Sequence, residues 1–164
     1  MVKIIKGTKI YVGSDHAGFE FKEKIKSYLT KDGYILNDMG PYEYDKDDDY
    51  PDFALRVAGN VSTHKDSIGI LICGTGAGMA IVANKVKGVR AAEVYDLYSA
   101  KMSREHNNAN IISLRARDFN FAKIKKIVNA WLKAEFPGEE RHERRIRKII
   151  HFENEHLKWK WKIK

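Results

Sequence analysis

The chain has 164 residues, of which 43% are hydrophobic and 32% charged, and this balance is typical of one globular domain with a sizeable core. No apolar run approaches the roughly 20 residues of a membrane-spanning helix, and the N-terminal segment does not resemble a signal peptide. The single cysteine excludes an internal disulfide, so we expect a reducing compartment and a cytoplasmic protein. The net charge of +8 favours anionic partners, either a small phosphorylated metabolite or a nucleic acid.

Strand and helix patterns alternate along the first half of the chain. "KIYVGSD" is rich in β-forming residues and ends in polar turn residues, and the next segment places apolar residues at helical spacing. "SIGILIC" is a continuous apolar run, as expected for a strand buried on both faces. The predicted elements are strand 1 (about Lys9–Gly13), a helix (Glu20–Lys31), strand 2 ("GYILND"), an acidic loop ("YEYDKDDDYPD"), a helix (Asp52–Thr63), strand 3 ("SIGILIC") and a helix (Met79–Lys85).

The second half continues this alternation. Asp118 is the expected N-cap of a helix that carries an apolar stripe from Phe121 to Trp131. Pro137 and Gly138 should end that helix, because neither residue favours a helix interior. The predicted elements are strand 4 ("GVRAAEV"), a helix (Leu97–Glu105), strand 5 ("NIISL"), the stripe-bearing helix and a charged helix from about Glu139.

This pattern predicts an α/β fold, a Rossmann-like three-layer sandwich with a five-stranded parallel sheet in the order 2-1-3-4-5. Residues 1–148 should form the main body, and residues 149–164 a C-terminal helical and basic extension of the same domain. In such sheets ligands bind beyond the carboxyl ends of the strands, where the strand order reverses. That point lies between strands 1 and 3, at the loops Ser14–Gly18 and Cys73–Gly78.

The loop "CGTGAG" fits neither the Walker nor the dinucleotide-binding glycine pattern, yet it presents main-chain N–H groups to a negatively charged oxygen. A thiol at a helix N-terminus favours the thiolate, so Cys73 could be a nucleophile or a base, or only a small buried apolar residue. His106 and Asn107 follow at the end of a helix, where a histidine can also be purely structural. Arg141 and Arg145 share a helix face and could hold a phosphate or belong to a solvated charge run. The histidine spacing and the lone cysteine argue against a metal site.

Five segments, in this order and spacing, resemble the ribose-5-phosphate isomerase B family of sugar-phosphate isomerases, from about Lys9 to Arg147. They are "GSDHAGFEFKEKI", "DYPDFA", "GILICGTGAGMAIVANK", "AAEVYDLYSAKMSREHNNANIISL" and "GEERHERRI". The resemblance implies interconversion of ribose 5-phosphate and ribulose 5-phosphate, in the pentose phosphate pathway, through an enediolate and without a metal or organic cofactor. It also implies a homodimer or a dimer of dimers, with sites shared across a subunit interface.

The resemblance further assigns a role to each candidate residue. Cys73 is implied as the base that moves the proton between C1 and C2, because this glycine loop lacks the glutamate that some members use there. The remaining implied roles are proton shuttling (Thr75), oxyanion binding (the amides of Gly74, Gly76 and Gly78), ring opening (His106, supported by Asp15), sugar binding (Asn107 and Tyr50) and phosphate binding (Arg141 and Arg145, with His16 and Arg117).

Two alternatives remain open for the activity. The substrate could be a six-carbon sugar phosphate, such as allose 6-phosphate or galactose 6-phosphate, or the protein could be a non-catalytic binding protein with a basic tail. Residues 139–164 hold 9 Lys or Arg and 5 Asp or Glu, with an apolar stripe at Ile146, Ile149, Ile150, Leu157 and Trp161. We expect this extension to pack on a partner subunit, and we expect "KWKWKIK" to contact neither nucleic acid nor a membrane.

Overall fold

The computed structural model describes residues 4–157, and this part of the chain contains five strands and six α-helices. The predicted alternation of strands and helices is confirmed, with small shifts at the ends of the elements. The elements are β1 (Lys9–Ser14), a 3-10 turn (His16–Gly18), α1 (Phe19–Lys31), β2 (Ile35–Asp38), α2 (Tyr50–Thr63), β3 (Ile68–Cys73), α3 (Ala77–Ala83), β4 (Ala91–Val94), α4 (Leu97–Asn107), β5 (Ile111–Arg115), α5 (Phe121–Lys133) and α6 (Glu140–His156).

All strand pairs in the sheet are parallel, which confirms the predicted fold class, but the predicted strand order 2-1-3-4-5 is wrong. The order is β2-β1-β3-β5-β4. The burial of the last two strands explains the exchange, because β5 buries Ile111, Ile112 and Leu114 whereas β4 exposes Glu93. The more apolar strand therefore lies inside the sheet and the shorter, partly exposed strand lies at its edge.

The core has two halves, one on each face of the sheet. Alternate residues of β1 point to opposite faces, so Ile10 and Val12 join one cluster and Tyr11 the other. The first cluster packs α1, α4 and α5 against the sheet and contains the fully buried Trp131, while the second packs α2 and α3. Across residues 4–157, no helix combines the length and apolar character needed to span a membrane.

Both ends of α5 differ from the prediction, and the helix already ends at Lys133, before the expected stop at Pro137 and Gly138. The N-cap of α5 is Asn120, whose side chain accepts a hydrogen bond from the Lys123 N–H at 2.9 Å. Asp118 is not the cap, because it lies in a turn at φ +59° and pairs with Arg115. Helix α6 runs without a break through the proposed boundary between residues 148 and 149, so that division stays a prediction. Trp161 and the "KWKWKIK" segment lie outside the described residues.

Candidate active site

The loop after β1 lies directly on the carboxyl end of β3. The Asp15 N–H donates to the Ile72 carbonyl at 3.2 Å, and Oδ1 of Asp15 accepts from the Gly18 N–H at 3.0 Å. A Cβ at Gly18 would lie 2.2 Å from the Ile72 oxygen, so this close approach admits only glycine. The two loops predicted to form a site are therefore in contact.

Cys73 ends β3, and its sulfur faces the glycine loop. Its Sγ accepts a hydrogen bond from the Gly76 N–H at 3.1 Å, while the residue as a whole is 5% exposed. Gly76 has a φ of +91°, and its carbonyl accepts from the Ser113 hydroxyl at 2.6 Å, which anchors the loop to β5. The Thr75 side chain is exposed, and its Oγ1 accepts from the Ala77 N–H at 3.3 Å.

Two further candidates cover this loop. A Cβ at Gly78 would lie 2.9 Å from the Tyr50 ring, and one at Gly74 would lie 3.3 Å from Nε of Arg117. The Arg117 N–H also donates to the Gly74 carbonyl at 3.1 Å. Both glycines thus leave room for a side chain that the sequence analysis assigns to substrate binding.

Asp15 is buried against the end of β3, with 7% of its surface exposed. Burial raises the pKa of Asp15, because a carboxylate loses solvation there, and the hydrogen bond from Gly18 opposes the rise only in part. The nearby Asp48 also raises the pKa of Asp15. The raised pKa makes the Asp15 carboxylate a stronger base than a solvated aspartate, which is the direction that proton transfer by a carboxyl group needs.

Asp48 belongs to the acidic loop and was missed as a site residue by the sequence analysis. Its Oδ1 accepts from the His16 N–H at 3.0 Å and lies 2.7 Å from Nδ1 of the His16 ring. The run of acids in "YDKDDDY" marks the loop, but it does not show which of these acids turns inward. The contact links residues 32 positions apart, and no local pattern reports such a pair.

A second group of candidates gathers where α4 ends and α6 begins. The rings of His106 and His142 are stacked with centroids 4.4 Å apart, and Nε of Arg141 donates to Nε2 of His142 at 3.1 Å. Burial lowers the pKa of His142, with His106 and Arg141 acting in the same direction, so neutral His142 is favoured as an acceptor. Asn107 and Arg145 are exposed in this region. His142 was also missed, although it lies between the two arginines in "EERHERR".

The two groups lie at opposite ends of the strands, the first at the carboxyl ends and the second near the amino ends. Helix α4 starts beyond the carboxyl end of β4 and runs back over about 15 Å for its 11 residues, so it ends near the amino ends of the strands. The Gly69 N–H at the start of β3 accordingly donates to the Asn110 carbonyl at 2.9 Å, whereas Cys73 lies at the other end of β3. One chain therefore does not bring His106 to Cys73.

A family model described as Ribose/Galactose Isomerase matches residues 10–149 of the chain. The chain belongs to the ribose/galactose isomerase family. Ribose-5-phosphate isomerase B of Mycolicibacterium paratuberculosis is 40% identical over 148 residues, which cover 90% of this chain and 93% of that protein. These matches confirm the resemblance seen in the sequence.

Solved structures of this isomerase family resemble the chain in both fold and sequence. Ribose-5-phosphate isomerase B of Clostridium thermocellum has a TM-score of 0.87 and 46% identity, covering 91% of this chain and 99% of that one. The Mycoplasma genitalium enzyme, solved with bound ribulose-5-phosphate, has a TM-score of 0.88 and 45% identity, covering 92% of this chain and 99% of that one.

The residues gathered here suit the proton transfer and anion binding that an isomerase of this family needs. The group around Cys73 offers a thiol that accepts from the Gly76 N–H and a buried carboxyl that accepts from the Gly18 N–H, and the group around His106 offers imidazoles and a guanidinium group. Within residues 4–157, no cluster of three or more His, Cys, Asp or Glu side chains could hold a metal ion.

Proposed function

We propose that the chain is an aldose–ketose isomerase that interconverts ribose 5-phosphate and ribulose 5-phosphate through an enediolate. The observation that carries this proposal is the likeness to the Mycoplasma genitalium structure with bound ribulose-5-phosphate, which extends over 99% of that chain at 45% identity. The reaction belongs to the pentose phosphate pathway and needs one base, one oxyanion site and one phosphate site.

Cys73 is the proposed base. Its sulfur lies against the Gly76 N–H, and the thiolate would take the proton from the carbon next to the carbonyl. The amides of Gly74, Gly76 and Gly78 would hold the developing oxyanion, with Thr75 moving the proton between the two sugar oxygens. Because a base of this kind must stay reduced, and the chain has a single cysteine, we place the protein in the cytoplasm.

The complete site is proposed to form between two copies of the chain. Asp15, His16, Tyr50, Cys73 and Arg117 would come from one copy, and His106, Asn107, Arg141 and Arg145 from the other. The placement of these groups at opposite ends of the strands supports this proposal, because neither group alone contains both a base and the arginine pair. A homodimer is the smallest assembly that would satisfy both copies, through a self-complementary arrangement.

A six-carbon sugar phosphate is the second candidate substrate, because the family description names galactose as well as ribose. A coupled assay that measures ribulose 5-phosphate from ribose 5-phosphate tests the proposal, with allose 6-phosphate and galactose 6-phosphate run in parallel. We expect the highest kcat/KM with ribose 5-phosphate. A higher value with a six-carbon substrate would reassign the substrate, and turnover of none of the three would favour a binding protein.

A further inference from the structure

The acidic loop folds against the proposed phosphate side of the site. The Tyr44 ring lies in T-shaped arrangements with the rings of His16 and Phe19, at centroid distances of 6.5 Å and 6.3 Å. Neighbouring acids in the loop differ sharply in burial, since the Asp48 side chain is 6% exposed whereas that of Asp47 is 79% exposed. Only one of this adjacent pair is therefore turned into the protein.

Asp48 holds His16 at two points. Its Oδ1 accepts the main-chain N–H at 3.0 Å and lies 2.7 Å from Nδ1 of the ring. An ionised carboxylate can only accept hydrogen bonds, so the Nδ1 in this pair must carry the proton. Nε2 is then the ring nitrogen left for another partner, and the His16 side chain remains 29% exposed.

We propose that Asp48 is the positioning residue of His16: it accepts from Nδ1–H and fixes the ring, so that Nε2 faces the phosphate of the sugar substrate and, once it has taken up a proton on binding, donates a hydrogen bond to a phosphate oxygen. A carboxylate or carbonyl behind an imidazole commonly fixes the tautomer and orientation of a functional histidine. The inference rests on the proposed function, which assigns His16 to phosphate binding. It adds a residue from the acidic loop that the family resemblance did not supply.

The burial of Asp48 shows that the contact is more than a surface ion pair. Its Oδ2 is buried without a hydrogen-bond partner among the described residues, and removing a carboxylate oxygen from water is costly. The two contacts of Oδ1 with His16 offset that cost. An exposed acid such as Asp47 keeps its solvation and carries no such cost. The pair thus joins a buried acid, Asp48, to a partly exposed histidine, His16, beside a candidate anion site.

Asp48→Ala tests the inference, with Asp47→Ala as the control that removes the same charge from the same loop. Asp48→Ala should raise the KM for ribose 5-phosphate about tenfold, with a much smaller change in kcat, because the histidine loses its fixed orientation. Long-range proton–nitrogen NMR spectra of His16 should show Nδ1 protonated in the wild type and in Asp47→Ala. In Asp48→Ala the two tautomers should be mixed.

Asp48→Asn keeps a carbonyl acceptor, so its KM should rise less than that of Asp48→Ala and its His16 should stay more fully protonated on Nδ1. If Asp48→Ala does not fold, Asp48→Asn carries the test, with a smaller rise in KM expected. Unchanged KM in the Asp48 variant, with or without a change of tautomer, would overturn the inference while leaving the isomerase intact. Wild-type protein that turns over no sugar phosphate would instead overturn the proposed function, and the tautomer spectra would still report on the Asp48–His16 pair.

Discussion

Among single residues, Cys73 at the end of β3 has the most demanding proposed role, that of the base. Cys73→Ala removes the proposed base, so we expect kcat to fall by about 10²- to 10⁴-fold. Binding of ribitol 5-phosphate, which has no carbonyl to isomerise, should persist when measured by calorimetry. Cys73→Ser keeps the shape with a far weaker acid and should also be nearly inactive. Normal turnover in either variant would remove Cys73 from the role of base.

Helix α6 allows a matched comparison between Arg141, a proposed phosphate ligand, and Arg144, which has no proposed role in the site. Arg141→Ala should raise the KM for ribose 5-phosphate by about 10- to 100-fold, because a charged hydrogen bond to phosphate contributes about 1.5–3 kcal/mol. Arg144 lies on the same helix and pairs with Glu140 at 3.7 Å, so Arg144→Ala should leave KM within about twofold, as exposed pairs contribute little. Equal KM values for the two variants would assign Arg141 to the surface.

The residues that sequence reasoning found and those that it missed differ in the range of their contacts. Cys73, Thr75 and the arginine pair lie in motifs readable within a few positions. Asp48 and His142 acquire partners only when distant segments fold together, at His16 and at His106 respectively. No spacing rule within one segment could indicate either pair.

Among the elements, the turn after β1 positions Asp15 and His16. The path of this turn depends on Gly18, which packs against the Ile72 carbonyl. In Gly18→Ala the new Cβ would overlap the Ile72 carbonyl, so the turn must move, at about 1–3 kcal/mol of unfolding free energy. We expect both a lower melting temperature and a raised KM. Gly7→Ala is the control, because open space surrounds that position and only its φ of +90° opposes the change. It should lower stability alone, and an unchanged KM in Gly18→Ala would show that the turn does not position the site.

The order of the last two strands shows where prediction of the fold from elements stops. Alternating patterns identified all five strands, since each is a separate apolar segment between helices. Neighbours in the sheet depend instead on which strand buries both faces, and "AAEV" and "NIISL" had to be compared to place β5 beside β3. The error left the site unchanged, because the order still reverses between β1 and β3.

In the whole molecule, one half of the proposed site lies at the carboxyl ends of the strands and the other half near their amino ends. A helix that connects two parallel strands must return from the carboxyl end of one to the amino end of the next. His106 at the end of α4 therefore cannot lie at the same end of the strands as Cys73 at the end of β3. The separation is a consequence of the topology rather than of side-chain orientation. Any chemistry that needs both groups therefore requires a second copy of the chain.

This geometry predicts that two inactive variants restore each other. A hybrid dimer of Cys73→Ala and His106→Ala chains, purified through two different tags, would contain one site with both substitutions and one with neither. We expect about half of the wild-type activity per dimer, because closed two-fold assemblies contain two equivalent sites. The coupled assay for ribulose 5-phosphate measures it, against parental dimers that are each nearly inactive.

The matched control is a hybrid of Cys73→Ala and Thr75→Ala, because both residues lie at the carboxyl end of β3. In that dimer each site contains one substitution, so activity should stay at the level of the parental variants. Restoration in the first hybrid and its absence in the second would require that each site draw on both chains. An inactive first hybrid with correctly folded parents would show that one chain holds the whole site, and the proposed dimeric arrangement would be wrong.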